Sequence, residues 1–232
     1  MEEQEADRKK LIASMQKKQR QLRSEIDKQR KAANKLNAEI DRLIAIEIEA
    51  ARKRAEEERR RKEAEAKKQQ PSNKEESKPV TKQMDAYRVD DSDRKLSGTF
   101  ERNKGRLPIP VTGPYVIVGH YGQYQVEGLR NVRLDNKGID IKAKQGAMAR
   151  TIFDGEVTAV FQYNGLANVL VRHGSYISVY CNLESVIVKQ GSQLKTRDVI
   201  GQISTDSDGN TVLHFQLRKE KDKLNPELWI AK

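Results

Sequence analysis

The chain has 232 residues, with 45 Lys and Arg against 34 Asp and Glu, a formal charge of +11 and 36% hydrophobic residues. Its one cysteine, Cys181, excludes an internal disulfide. No apolar run reaches the ~18 residues of a membrane-spanning helix, and the start, MEEQEADRKK, lacks the apolar stretch of a signal peptide. The averages hide a split. The first part is almost entirely Glu, Lys, Arg, Gln and Ala, whereas Val, Ile, Tyr and Gly dominate from Leu107 onward.

In the first part Ile12, Ile26, Ala33 and Ile40 recur on one register, and Met15, Leu22, Leu36 and Leu43 follow three residues later. These are the a and d positions of a heptad, interrupted by Gln19 and Gln29, and Ile at a with Leu at d favours two strands. No Gly or Pro precedes Pro71, so the spacing predicts one helix from residue 3 to 68 within a coiled-coil segment, residues 1–70. Its far end, ARKRAEEERRRKEAEAKKQQ, has lost the apolar seam and reads as a solvated helix held by Glu–Lys and Glu–Arg pairs. Such a stripe needs a partner helix. That partner is either a second copy of the chain or a preceding helix; the pattern begins in mid-seam, which favours an antiparallel helix preceding residue 1. The helix has no aromatic residue, and its basic charge reads as a solvated face rather than a nucleic-acid surface.

Residues 71–103 read as a linker. PSNKEESKPVTKQ is polar and bracketed by Pro71 and Pro79, and MDAYRVDDSDRKL is either a short helix or irregular. Tyr87, Val89 and Leu96 make residues 84–96 too apolar for a simple tether. Pro108 and Pro110 then fix an extended lead-in to the second domain.

From Pro114 to Trp229 short β-rich runs (PYVIVGHY, EVTAVFQY, NVLVRH, YISVYCNL, SVIVKQ, DVIGQI, TVLHFQL) alternate with DG, NG, HG and QG turns. No helical period intervenes, which predicts antiparallel sheets rather than βαβ units. In TVLHFQLR the strand period puts Leu213, Phe215 and Leu217 on one face and Val212, His214, Gln216 and Arg218 on the other. The apolar set takes the core, so His214 points into a groove. In NKGIDIK, Asp140 points away from Ile139 and Ile141 and can share that groove. Tyr180 and Asn182 fall on one face of YISVYCNL and are expected beside it. His120 and His173 read as turn residues that hydrogen-bond locally.

These motifs resemble, in order, those of the LytM (lysostaphin-type) zinc endopeptidase domain, over residues 104–232. The H-x-x-x-D signature stands here as N-K-G-I-D, GIDIKAKQGAMARTIFDGEV resembles the core signature, TVLHFQL occupies the H-x-H strand, and LNPELWI the closing segment. The fold class implied is α+β: a long coiled-coil helix, then a β-rich antiparallel LytM-like domain. The resemblance implies three zinc ligand positions, here Asn136, Asp140 and His214, and two catalytic histidine positions, here Val212 and Asn182. An amide oxygen is a poor zinc ligand, and neither Val212 nor Asn182 exchanges protons near neutral pH. Losing even one oxyanion donor costs ~10²–10³ in rate. The expectation is therefore no metal, no cofactor and no catalysis.

A long coiled coil followed by a degenerate LytM domain resembles the EnvC-type murein hydrolase activators. That resemblance implies a cell-envelope, periplasmic protein that switches on an N-acetylmuramoyl-L-alanine amidase in daughter-cell separation. The vacated groove would bind the amidase, and the coiled coil an FtsX-type membrane complex. The partner-binding groove is then Lys137, His214, Arg218, Gln216, Asn182 and Tyr180. Of these Lys137, where the resembling activators also carry a basic residue, His214 and Arg218 are expected to matter most. Residues 84–96 are expected to fold over the groove until the coiled coil moves. Two other readings compete: an atypical zinc peptidase using Asp140 and His214, and a structural coiled-coil protein whose β domain binds glycan or a surface partner.

Overall fold

The computed structural model describes residues 2–69, 91–125 and 133–231. The chain divides into two compact units, residues 1–42 and 43–232.

The first unit is the opening of helix α1 (Glu2–Gln69), whose limits fall within a residue of those predicted. Its seam residues Ile12, Met15 and Leu22 are each more than half exposed. A helix this poor in contacts draws its order from propensity and from pairs along its own surface, such as Arg42 with Glu39 at 2.6 Å.

The second unit contains the rest of α1. There Ile44 and Ala51 are buried, while the charged far end pairs along the helix: Lys62 with Glu58 at 2.7 Å and Arg59 with Glu63 at 3.3 Å. No described helix is long and apolar enough to cross a membrane. Residues 71–90 of the expected linker lie outside the described residues, but its remainder is ordered structure. Asp91–Arg102 forms helix α2, whose last turn drives Phe100 into the core. Phe100 stacks on Tyr176 (4.6 Å between ring centroids) and His173 (5.2 Å) and meets Phe153 and Trp229. Burial of this one aromatic overrides the poor helix propensity of the Ser-Gly-Thr around it.

The strands are β1 (Tyr115–Gly119), β2 (Gly122–Gln125), β3 (Arg133–Asn136), β4 (Ile139–Ala143), β5 (Met148–Arg150), β6 (Gly155–Tyr163), β7 (Leu166–His173), β8 (Tyr176–Val186), β9 (Gln193–Leu194), β10 (Val199–Ile203), β11 (Thr211–Lys219) and β12 (Asp222–Leu224). The main sheet runs β1-β4-β11-β8-β7-β6-β9, and every pairing in it is antiparallel. β2 and β3 form a separate hairpin. β8 serves two neighbours in turn, pairing β11 through Cys181 and β10 from Leu183. The break between them is Asn182, whose φ of 68° bends the strand.

The β6–β7 hairpin turns on Asn164-Gly165, both at positive φ, as the Asn-Gly signal predicts. The core gathers Leu213, Phe215 and Leu217 of β11, Ile139 and Ile141 of β4, and Val169 and Val171 of β7, all buried.

Candidate functional site: the face opposite the core

The register places His214 directly opposite Asp140 on one side and Cys181 on the other. Residues opposite each other in an antiparallel pair share a face, so the three stand together on the side of the sheet away from the core. Two glycines permit the close packing here: a Cβ on Gly119 would clash with the Asp140 carboxylate, and one on Gly138 with the Phe215 carbonyl of the neighbouring strand.

The three expected ligand positions do come together, and they bond to one another. His214 Nδ1 is 2.7 Å from Asp140 Oδ1. Asn136, at the end of β3, donates its amide to Asp140 Oδ2 at 2.8 Å and accepts from the Gly138 N–H at 3.0 Å. The chain continues along β11. Gln216 Nε2 meets His214 Nε2 at 2.9 Å, and Arg218 donates to Gln216 Oε1 at 2.8 Å. Gln216 and Arg218 are buried, and Asp140 and His214 partly so.

Would zinc fit these residues? Asn136 offers an amide in place of an imidazole, and both ring nitrogens of His214 and both oxygens of Asp140 are engaged. Cys181 adds no ligand, because burial pushes its thiol up to about 12, beyond what nearby Arg218 offsets. Among the described residues no group of three His, Cys, Asp or Glu could hold a metal ion. The arrangement does not fit the metal.

The other expected groove residues scatter. Lys137 is partly exposed at the rim and pairs with Asp135. Asn182 is partly buried and points its amide toward the Val212 carbonyl, 3.5 Å away. Tyr180 is not in the groove. It lies opposite Phe215 on the core face, fully buried, with its hydroxyl accepting from the Ile152 N–H at 3.1 Å. The bend at Asn182 breaks the alternation, so residues 180 and 182 do not share a face.

Neither remaining histidine joins the site. His120 is exposed and bonds Glu227 at 3.0 Å. His173 is not a loosely held turn residue. It is fully buried, with Nδ1 donating to the Asp154 carbonyl and Nε2 bonded to Ser178 Oγ, both at 2.7 Å. Burial lowers its pKa to about 4.

A second cluster on the groove face is not signalled by any motif. Arg172 of β7 stands opposite Ile177, which stands opposite Arg218, so the two arginines share one cross-strand row. The Arg172 guanidinium meets Glu47 of α1 at 3.2 Å, Glu156 of β6 at 3.5 Å and Asp93 of α2. Beside it α2 caps the β7–β8 turn, with Ser97 Oγ accepting from the Ser175 N–H at 2.8 Å. Gly174 permits that approach: at a φ of 71°, any Cβ there would lie 2.2 Å from Ser97 Oγ. Of the segment expected to cover the groove, residues 84–90 lie outside the described residues, and Asp93 is the described residue that meets Arg172.

The antiparallel sheet, the Gly-Ile-Asp strand and the opposed histidine are similar to those of a LytM-type domain, and residues 135–226 match the model of peptidase family M23. Over nearly its whole length the chain is similar to the murein hydrolase activator EnvC of Escherichia coli (strain K12). The two are 29% identical over 233 residues, covering 97% of this chain and 51% of that protein. The murein hydrolase activator NlpD of the same species is 28% identical over 96 residues, covering 39% of this chain and 25% of that protein. The chain therefore spans about half the length of the first relative and a quarter of the second. Among solved structures, a chain of the SpoIIQ–SpoIIIAH pore-forming complex superposes with a TM-score of 0.48 at 23% identity, covering 56% of this chain and 93% of that one.

Proposed function

We propose that the chain is a non-catalytic activator of a cell-wall N-acetylmuramoyl-L-alanine amidase, acting in the periplasm in peptidoglycan remodelling and daughter-cell separation. The observation that carries this reading is the self-bonded ligand set. Asn136, Asp140 and His214 satisfy one another, and the resemblance to the LytM domain implies that Val212 and Asn182 occupy its two catalytic histidine positions. The similarity to proteins named murein hydrolase activators supports it. The groove then holds a segment of the amidase, with Lys137 and Arg218 pairing its acidic groups. The coiled-coil helix engages an FtsX-type membrane complex.

Arg218 is only 1% exposed. A partner that uses it must first displace what lies over the groove face, and α1 and the first turn of α2 are the elements held there by Arg172. Movement of the coiled coil would release them, a switch by displaced segment.

The test is amidase-driven release of labelled murein, with the full chain as wild type, Arg218→Ala and Lys137→Ala. The wild type stimulates release. Arg218→Ala loses about tenfold or more of the effect, as a hot-spot residue does, and Lys137→Ala, at the rim, loses less. Equal stimulation by all three proteins removes the groove from the mechanism. Murein cleavage by the chain alone, dependent on zinc, overturns the reading in favour of a peptidase.

A further inference from the structure

We infer that Gln216 closes the former ligand site to divalent metals by fixing which nitrogen of His214 carries the proton. A guanidinium has only donors, so the Gln216 atom that meets Arg218 at 2.8 Å is the amide oxygen. The amide nitrogen is then the end that faces His214 Nε2, 2.9 Å away. Two donors cannot meet there, so Nε2 offers its lone pair. A neutral imidazole with its lone pair on Nε2 carries its hydrogen on Nδ1, and Nδ1 is the atom 2.7 Å from Asp140 Oδ1. The imidazole atom that faces its fellow ligand, where a shared metal would sit, is a protonated nitrogen that cannot coordinate.

A metal-binding histidine needs the reverse arrangement. Its lone pair points at the metal, and its ring N–H, on the far side, is donated to a carboxylate or carbonyl that fixes the tautomer. Glutamate at position 216 would supply this. Its carboxylate accepts from Arg218 and from an Nε2–H alike, so that a metal can take the place of the Nδ1 hydrogen while the ring keeps its N–H on the far side. Exchanging one NH₂ for one oxygen, with almost no change of shape, gives Nε2–H the acceptor that the metal-bound ring needs. The site is thus closed twice: Asn136 withholds the third ligand, and Gln216 withholds the lone pair of the second. This inference stands apart from the amidase reading, and neither measurement below involves an amidase.

The first measurement is the ring-nitrogen NMR spectrum of the ¹⁵N-labelled full chain, which separates the two neutral tautomers. Wild-type His214 shows the hydrogen on Nδ1 alone, and metal-free Gln216→Glu shows a hydrogen on Nε2 as well. A wild-type His214 with its hydrogen on Nε2 overturns the inference whether or not any variant folds. The second is titration with Zn²⁺ and, for its optical bands, Co²⁺. Asn136→His alone binds weakly. Adding Gln216→Glu tightens binding by about 10–100-fold, the usual effect of an outer partner on metal affinity. Equal affinity in the single and double variants also overturns it.

Discussion

The two faces of strands β7, β8 and β11 are both largely buried and built on different terms. On the core face stand Val169, Val171 and His173 of β7, Tyr176, Ser178 and Tyr180 of β8, and Leu213, Phe215 and Leu217 of β11. Its polar groups are neutral and bond to backbone or to each other: His173 to Asp154 and Ser178, Tyr180 to Ile152. On the groove face stand Leu170, Arg172, Ile177, Val179, Cys181, His214, Gln216 and Arg218, also shielded from water in the main, but carrying charge among the apolar groups. There Arg172 forms ion pairs with carboxylates from two helices and a neighbouring strand. A neutral face closed by its own sheet is permanent. A charged face closed by acids on separate elements can open at its charged groups, because water solvates Arg172 and the acids when they part.

The largest effect expected is on the core side. Phe100 is fully buried among four aromatic partners, and Phe100→Ala costs about 3–5 kcal/mol of unfolding free energy in denaturant titration. It also frees α2 from the β7–β8 turn, since Ser97 and Asp93 are held in place by the same helix. A loss below about 1 kcal/mol, the cost of a surface change, would mean that α2 is not part of the core it touches.

His173 gives the core face a pH signature. Unfolded, it takes up a proton near its ordinary 6.5; folded, it does so only at about 4. Below 6.5 the unfolded chain therefore binds the extra proton. The stability contribution is fully present above that value and drains as pH falls toward 4, by about 3 kcal/mol in all. Denaturation at a series of pH values reads the slope directly, and His173→Gln should remove it between those limits. A wild type whose stability is flat from pH 6.5 to 4 would show that this imidazole is solvated.

Much of this was legible because a strand has a period of two. Leu213, Phe215 and Leu217 had to face inward, so His214, Gln216 and Arg218 had to face outward, and they do. That Asp140 stands opposite His214 needed the register, which alternation alone does not give. The resemblance supplied it. Tyr180 was misplaced because counting by twos carried it to the face of Asn182, across a bend that only a left-handed backbone reveals. His173 looked like part of a turn because the Gly follows it, yet the turn residues are Gly174 and Ser175 and the histidine ends a buried strand. Likewise Glu220 turns the β11–β12 hairpin at a φ of 54° with no Gly to announce it. The Arg172 cluster left no trace in any local pattern: Asp93 lies 79 residues away in the chain and Glu47 farther still.

That cluster is where the contrast between the faces can be measured most locally. Arg172→Ala leaves Glu47, Asp93 and Glu156 without their shared cation, at a cost of about 1–3 kcal/mol. The informative quantity is where the loss appears. If the helices are a detachable cover, hydrogen exchange quickens in α1 near Glu47 and in the first turn of α2, while the amides of β7, β8 and β11 keep their protection, because the core face beneath is untouched. Phe100 still pins the end of α2, so the opening stops short of that residue. Glu47→Gln, which removes one of the three acids, gives a smaller version of the same pattern. Exchange that rises evenly through sheet and helices would instead mean that Arg172 belongs to the permanent structure, and that the groove face is closed as firmly as the core.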